Sequence, residues 1–345
     1  MRKIIKLKRF ALKIFLKVLT LENRFNIIFT IAFLSIIIGL FLNPSLLAQE
    51  MSGKYTIVIH GGAGFYSPDT PDSIKQLHLN SLKEALTIGI NILKEGGSGL
   101  DAVEKVINYF EDNVLFNAGR GAVFTSEGKH ELDASIMCGK DLSTGAVAGV
   151  TIIKHPISLA KLVMEKTNHV LFAGKGADDL GILLGVDAVP NSYFHDENTY
   201  QNWLRSNIKE QKGETVGCVV LDQYGNIYAG TSTGGRQNKM PGRVGDSPIV
   251  SAGTYANNKT CGVSATGTGE LFIRNTVAFN ISALMEYKGY SLKQACNELI
   301  FKALPKGSGG VIALDKDGNY ELLFNTPSMM RGVANSDGVF EIDIW

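Results

Sequence analysis

The stretch from residue 215 to residue 269 constrains this chain more than any other. It opens with Thr215-Val216-Gly217-Cys218-Val219-Val220-Leu221-Asp222, a β-branched apolar run, and then sets Thr233, Arg243, Asp246 and Thr266-Gly267-Thr268-Gly269 close together. Each interior Gly costs a helix about 1 kcal/mol relative to Ala, so a segment this rich in Gly folds as strands and turns. It is also too polar to be core alone. A hydroxyl, a guanidinium, a carboxylate and backbone amides left uncovered by Gly are the parts needed to attack an amide and to grip a small charged molecule.

Periodicity places this stretch among layers. Residues 56–60 read as a short apolar strand ending in a Gly-rich turn, and 73–94 and 100–112 carry apolar residues at helical spacing. Strand patterning returns at 131–137 and 146–153, and helical spacing at 158–166 and 176–184. Two hairpins follow, each with an Asp-x-x-Gly-Asn turn, at Asp222 to Asn226 and Asp315 to Asn319. Between them, 270–287 and 292–303 read as two further helices. Strand groups alternating with helix pairs predict an α+β fold of several layers. The polar segment 190–213 (with Asn191, Asp196, Asn198, Asn202, Lys209 and Lys212) reads as an exposed linker ending just before Thr215.

In a chain of 345 residues, 34 basic side chains balance 33 acidic ones and 45% of residues are hydrophobic, which speaks against disorder and against a nucleic-acid partner. The N-terminus departs from that balance. Arg2, Lys3, Lys6, Lys8, Arg9, Lys13, Lys17 and Arg24 stand against Glu22 alone, and an apolar run follows from Phe25 to Leu42. With Pro44-Ser45-Leu46-Leu47-Ala48-Gln49 after it, residues 1–48 read as an export signal cut after Ala48. The alternative is a retained signal anchor, since the run is near spanning length. Either way the remainder is expected to be exported, periplasmic or secreted, and to touch a membrane only through an uncleaved leader.

Cys138, Cys218, Cys261 and Cys296 are too scattered for a disulfide framework and read as small buried hydrophobes, although export leaves room for one bridge. The histidines (His60, His78, His130, His155, His169, His195) show no metal-ligand spacing, so no catalytic zinc is expected.

Several motifs follow one another in a telling order: His60-Gly61-Gly62-Ala63-Gly64, Asn117-Ala118-Gly119-Arg120-Gly121-Ala122-Val123-Phe124, the run from Gly213 to Asp222, Thr231-Ser232-Thr233-Gly234-Gly235, the run from Pro241 to Pro248, and Ala265-Thr266-Gly267-Thr268-Gly269-Glu270. Together, over roughly residues 54–330, they resemble the plant-type asparaginase and isoaspartyl aminopeptidase family. The resemblance implies an N-terminal nucleophile hydrolase with a four-layer αββα sandwich. It implies a precursor that cuts itself before Thr215, giving chains 49–214 and 215–345, two of each per particle. Thr215 then supplies both the nucleophilic hydroxyl and, as an α-amino group of pKa about 7.7–8, the general base. No catalytic cofactor is needed.

By the same resemblance Thr233 hydrogen-bonds the nucleophile, Thr266 and Gly267 form an oxyanion hole, and Asn117 supports the site. Arg243 and Asp246 hold the carboxylate and ammonium of an amino-acid head group, with Gly269 letting the backbone approach, so the substrate is a small molecule or dipeptide with a β-amide. A structural sodium ion is implied on main-chain carbonyls of the loop that includes Phe110, Glu111, Asn113, Phe116, Ala118 and Arg120. Glu214 departs from the pattern, since the family more often has Gly or Asp before the nucleophile.

Other readings use the same residues. Thr215 alone is an ordinary strand residue, Thr233 a turn hydroxyl, and Arg243 with Asp246 an ion pair three residues apart. Gly230-Thr231-Ser232-Thr233-Gly234 satisfies Gly-x-Ser-x-Gly, but the residues after it read as loop where a nucleophile elbow enters a helix. Glycosylasparaginase shares the nucleophile logic. An unprocessed exported protein that merely binds aspartate or asparagine is the alternative from another class.

Overall fold

The computed structural model describes residues 53–64, 67, 69–205 and 214–345. The leader expected over 1–48 and the stretch 206–213 lie outside the described residues. In chain order the strands are β1 (Thr56–Gly64), β2 (Leu132–Cys138), β3 (Thr144–Val150), β4 (Leu171–Ala173), β5 (Val216–Leu221) and β6 (Ile227–Thr233). They continue as β7 (Thr254–Ala256), β8 (Cys261–Gly267), β9 (Gly309–Asp315), β10 (Tyr320–Phe324), β11 (Ser328–Asn335) and β12 (Phe340–Asp343). The helices are α1 (Asp72–Lys94), α2 (Gly99–Asp112), α3 (Pro156–Lys166), α4 (Gly174–Leu184), α5 (Glu197–Arg205), α6 (Gly269–Asn275), α7 (Val277–Lys288) and α8 (Leu292–Asn297).

One sheet runs β12-β11-β1-β5-β6-β2-β3-β4, antiparallel except for β3 with β4, and a second runs β10-β9-β8-β7, antiparallel throughout. Helices α1 to α4 pack on the large sheet, α7 and α8 on the small one, and β1, β5 and β6 meet β8 and β9 between them. This is the four-layer αββα sandwich.

Why β5 sits at its centre follows from its residues. Every residue from Val216 to Leu221 is buried. The period-two alternation sends Val216, Cys218 and Val220 to the core under the helices, while Val219 and Leu221 join the core between the sheets. The same rule divides β1, with Ile57 and Ile59 toward the helices and Val58 toward the second sheet. His60 therefore points between the sheets, as do alternate residues of β6. All four cysteines are buried and free, two of them in each core.

Both predicted hairpins form, and the Asp of each turn holds it. Asp222 Oδ1 accepts from the N–H groups of Tyr224 and Asn226, and Asp315 Oδ1 from those of Asp317 and Asn319, all at 2.9 Å. Gly225 and Gly318 take φ of 76° and 86°, which suits Gly alone without strain. A third turn of this kind joins β11 to β12, with Asn335 Oδ1 in the Asp role.

Two expectations need correction. The segment 190–213 is not an exposed linker over its first part: 191–194 form a 3-10 turn that buries Phe194, and α5 follows. Trp203 stacks with Tyr200, lies 5.5 Å from the Phe124 ring and donates from Nε1 to Asn238 Oδ1 at 2.9 Å. The apolar signal there resides in a few large aromatics spaced among polar residues, which a periodicity count passes over. The single helix expected at 270–287 is broken at Thr276, which takes left-handed φ and ψ of 44° and 50° between α6 and α7. No Gly or Pro announces that break. After α8, residues 298–303 wind on as a π-helix.

Candidate active site

The β5–β6 register sets Val216 opposite Ser232 and Gly217 opposite Thr231, so the position before β5 falls beside the last residue of β6. Those residues are Thr215 and Thr233, both buried, and the Thr215 hydroxyl donates to Thr233 Oγ1 at 3.2 Å. Thr233 in turn donates to the Glu214 carbonyl at 3.0 Å. Asn117 Nδ2 donates to that same carbonyl at 2.6 Å. Two donors thus converge on the peptide oxygen that directly precedes the candidate nucleophile.

Asn117 is held for this task on every side. Nδ2 also donates to the Gly235 carbonyl at 2.7 Å, and Oδ1 accepts from Val123 N–H at 2.9 Å. A Cβ at Gly234 would approach Asn117 Oδ1 to 2.5 Å, so that position in Thr-Ser-Thr-Gly-Gly must be Gly.

His60 contributes a contact that the sequence reading did not anticipate. Nδ1 lies 2.9 Å from the Thr215 carbonyl oxygen and Nε2 lies 2.9 Å from Ser264 Oγ. Burial lowers the imidazole pKa to about 3, so the ring is neutral. A carbonyl can only accept; the proton is therefore on Nδ1, and Nε2 accepts from Ser264. The remaining directions follow. Thr231 donates to Ser264 at 2.7 Å and Thr254 to Thr231 at 2.6 Å, with Ser135 Oγ 2.8 Å from Thr254 Oγ1 and 2.6 Å from the Ser247 carbonyl. This buried file of hydroxyls spans the two sheets, and the Ser247 carbonyl at its far end belongs to the residue after Asp246. A Cβ at Gly217 would overlap both Ser264 Oγ and His60 Nε2, which accounts for the Gly in Thr-Val-Gly.

The facing sheet and its loops carry the other predicted residues. Thr266, next to the end of β8, is fully buried, and its Oγ1 accepts from Ala63 N–H at 3.1 Å. Gly267 has φ of 147°, and a Cβ there would overlap the Ser308 carbonyl. Arg243 and Asp246 do not form an ion pair with each other. Arg243 binds Glu270 through two bonds, Nε to Oε1 at 3.0 Å and Nη2 to Oε2 at 3.1 Å, a partner the sequence reading missed although Glu270 closes the Thr-Gly-Thr-Gly-Glu run. Asp246 Oδ2 is buried with no partner among the described residues, and burial pushes the carboxyl up to about 7.

Both groups border Gly269. A Cβ there would lie 2.7 Å from Asp246 Oδ1 and 3.0 Å from Arg243 Nη2. Glycine keeps this guanidinium and carboxylate open to a ligand. The arrangement suits a small zwitterion, with a carboxylate near Arg243 and an ammonium satisfying the lone oxygen of Asp246.

The segment 110–120 turns its carbonyls inward around two glycines. A Cβ at Gly119 would overlap the Glu111 carbonyl, and one at Gly121 would overlap that of Phe116 and lie 2.8 Å from that of Val114. The carbonyls of Phe110, Asn113, Phe116 and Ala118 each accept one backbone N–H. Each keeps a second lone pair, and neutral carbonyl oxygens are the donors a hard monovalent cation takes. The Arg120 side chain stands away from it, exposed over the Tyr193 ring. Among the described residues no three His, Cys, Asp or Glu side chains gather as a metal site. Ser232 faces the helices and donates to Glu111 Oε1 at 2.7 Å, so it is no elbow nucleophile.

A double sheet between helices, with a buried threonine opening the central strand, defines the fold class of the N-terminal nucleophile hydrolases. Comparison with known proteins makes this specific. The family model described as Asparaginase matches residues 53–344, and the chain belongs to that family. It is 44% identical over 296 residues to the isoaspartyl peptidase of Escherichia coli, covering 81% of this chain and 92% of that protein. It is likewise 44% identical over 295 residues to the isoaspartyl peptidase of Salmonella typhimurium, covering 81% and 94%. The isoaspartyl peptidase/L-asparaginase of Bos taurus is 40% identical over 289 residues, covering 81% and 92%.

Proposed function

We propose that this chain is a self-cleaving threonine amidohydrolase that hydrolyses the side-chain amide of L-asparagine and removes β-aspartyl residues from the N-terminus of peptides. The observation that carries the reading is the Glu214 carbonyl, gripped by Asn117 and Thr233 while the Thr215 hydroxyl hydrogen-bonds into the same group. Those donors polarise the carbonyl and stabilise the negative oxygen that forms when Thr215 Oγ adds to its carbon. The C–N bond to Thr215 then breaks, its nitrogen takes a proton, and water hydrolyses the resulting ester. Chain 215–345 is left with a free α-amino group at Thr215.

That amine serves as base in turnover. It accepts the Thr215 hydroxyl proton as Oγ attacks the β-amide carbon and returns it to the leaving amine, and water then releases aspartate. Thr266 and Gly267 supply the oxyanion site for this second reaction, and Arg243 and Asp246 hold the head group. The chemistry draws on no cofactor. The names of the bacterial and bovine relatives support β-aspartyl peptides and asparagine over glycosylated asparagine as substrates.

The reading extends to a structural sodium ion on the carbonyls of the 110–120 loop, an exported enzyme made with the leader 1–48, and a particle with two copies each of 49–214 and 215–345. The deciding experiment is denaturing mass spectrometry of the purified chain beside Thr215→Ala. Fragments meeting between Glu214 and Thr215 in the parent and absent from the variant are expected. A parent that stays intact on long incubation would instead favour a binding protein.

A further inference from the structure

The Glu214 side chain has a neighbourhood that self-cleavage does not use. It lies along the backbone of Gly62 and Gly64: a Cβ at Gly62 would come within 2.6 Å of Glu214 Cβ, and one at Gly64 would overlap Glu214 Oε1. Gly62 takes φ of 119°, a conformation only Gly adopts freely, whereas Gly64 lies outside the positive-φ region. Two glycines therefore shape a cleft, and in the uncut chain Glu214 fills it.

One atom links self-cleavage to turnover. Thr215 N is the nitrogen to which Glu214 is joined, and, once free, it hands the proton to the leaving nitrogen of a substrate. Direct transfer needs the two nitrogens within about 3.2 Å. The leaving nitrogen thus stands one hydrogen bond from the former attachment point of Glu214, which puts the volume Glu214 leaves within reach of whatever that nitrogen carries.

We infer that the Gly62–Gly64 cleft is the subsite for the second residue of a β-aspartyl peptide and prefers an uncharged side chain to an acidic one. This rests on the proposed function and names the part of the substrate beyond the scissile bond. The wall that Gly62 and Gly64 form is backbone, and the Ala63 N–H between them is already taken by Thr266. Burial raises the Glu214 carboxyl to about 7, and among the described residues no basic side chain offsets it, so nothing described there rewards an anion. Asparagine, whose leaving group is ammonia, does not enter the cleft.

Gly64→Ala isolates the idea, because Ala is unstrained there and the atoms nearest to its methyl group are all those of Glu214. Fully cleaved parent and variant, verified by mass, are assayed on L-asparagine and on β-aspartyl-leucine. The variant is expected to keep its kcat/KM for asparagine and to lose about tenfold or more for the dipeptide, mainly through KM, as misfits of one methyl group in a pocket do. Parent enzyme is expected to favour β-aspartyl-leucine over β-aspartyl-glutamate. If the Ala methyl blocks self-cleavage, Glu214→Gly in the same chain removes the collision and permits the same comparison. Equal losses on both substrates, no loss on either, or parent indifference to the acidic residue would each overturn the subsite. A parent that turns over neither substrate would bring down the functional reading itself, and that result is read first.

Discussion

Replacing Thr233 by Val tests how the chain cuts itself. The Thr233 hydroxyl accepts from Thr215 Oγ at 3.2 Å and from Gly235 N–H at 2.9 Å, and its single proton goes to the Glu214 carbonyl at 3.0 Å. Val keeps the branched shape and the strand preference of β6 while deleting one of two donors on the reacting oxygen. Loss of one oxyanion donor costs about 2.7–4 kcal/mol, a slowing of about 10²–10³. The orphaned Gly235 N–H lowers stability by about 1–3 kcal/mol, but it is unpaired before and during the reaction and so leaves the rate unchanged. Asn117 Nδ2 remains at 2.6 Å, so cleavage slows without stopping. Timed mass spectrometry of freshly purified precursor gives the rate, and Thr233→Ser, which restores the hydroxyl, should cut close to the parent rate. Asn117→Leu combined with Thr233→Val should cost less than the two separate effects added, since both act on one oxygen. A Val variant that cuts as fast as the parent would refute the assignment.

Glu214 stays neutral below about pH 7 and becomes an anion above it, beside a carbonyl that must gain negative charge. Glu214→Gln should therefore cut faster than the parent above pH 7 and at the same rate below; matching profiles would show the carboxyl to be silent. Asp246, also raised to about 7, must be ionised to hold an ammonium, so parent kcat/KM should fall as pH drops through 7. Asp246→Asn should lose that component and about 1.5–3 kcal/mol of substrate binding, seen mainly in KM; an unchanged profile and KM would place the head group elsewhere. Gly217→Ala forces a methyl group into the His60–Ser264 bond, an overpacking worth about 1–3 kcal/mol. A drop in Tm together with a lower kcat is expected, and calorimetry showing no shift would argue against the tight packing.

Much of the site was readable because its chemistry is contiguous. Thr215, Thr233 and Thr266 sit in short motifs near strand ends, and the Asp222 to Asn226 turn marks the hairpin that brings Thr215 beside Thr233. Glu270 and His60 were harder. Both lie inside motifs, yet nothing along the chain says that Arg243 binds Glu270 instead of Asp246, or that His60 reaches the Thr215 carbonyl from a neighbouring strand. The aromatic packing around Trp203 was invisible for a related reason: its partner Phe124 comes from a segment far along the chain.

By itself the sequence determined most of the alternation of helices and strands, the strand that follows Thr215, and the residue types available for amide chemistry, because these depend on local periodicity and composition. The tertiary structure decided which hydroxyl donates to which carbonyl, that the His60 proton is on Nδ1, that Asp246 keeps an oxygen free, and that Glu214 fills a glycine-lined cleft. Those outcomes depend on register between strands and on the distance between two sheets, which no stretch of chain encodes alone.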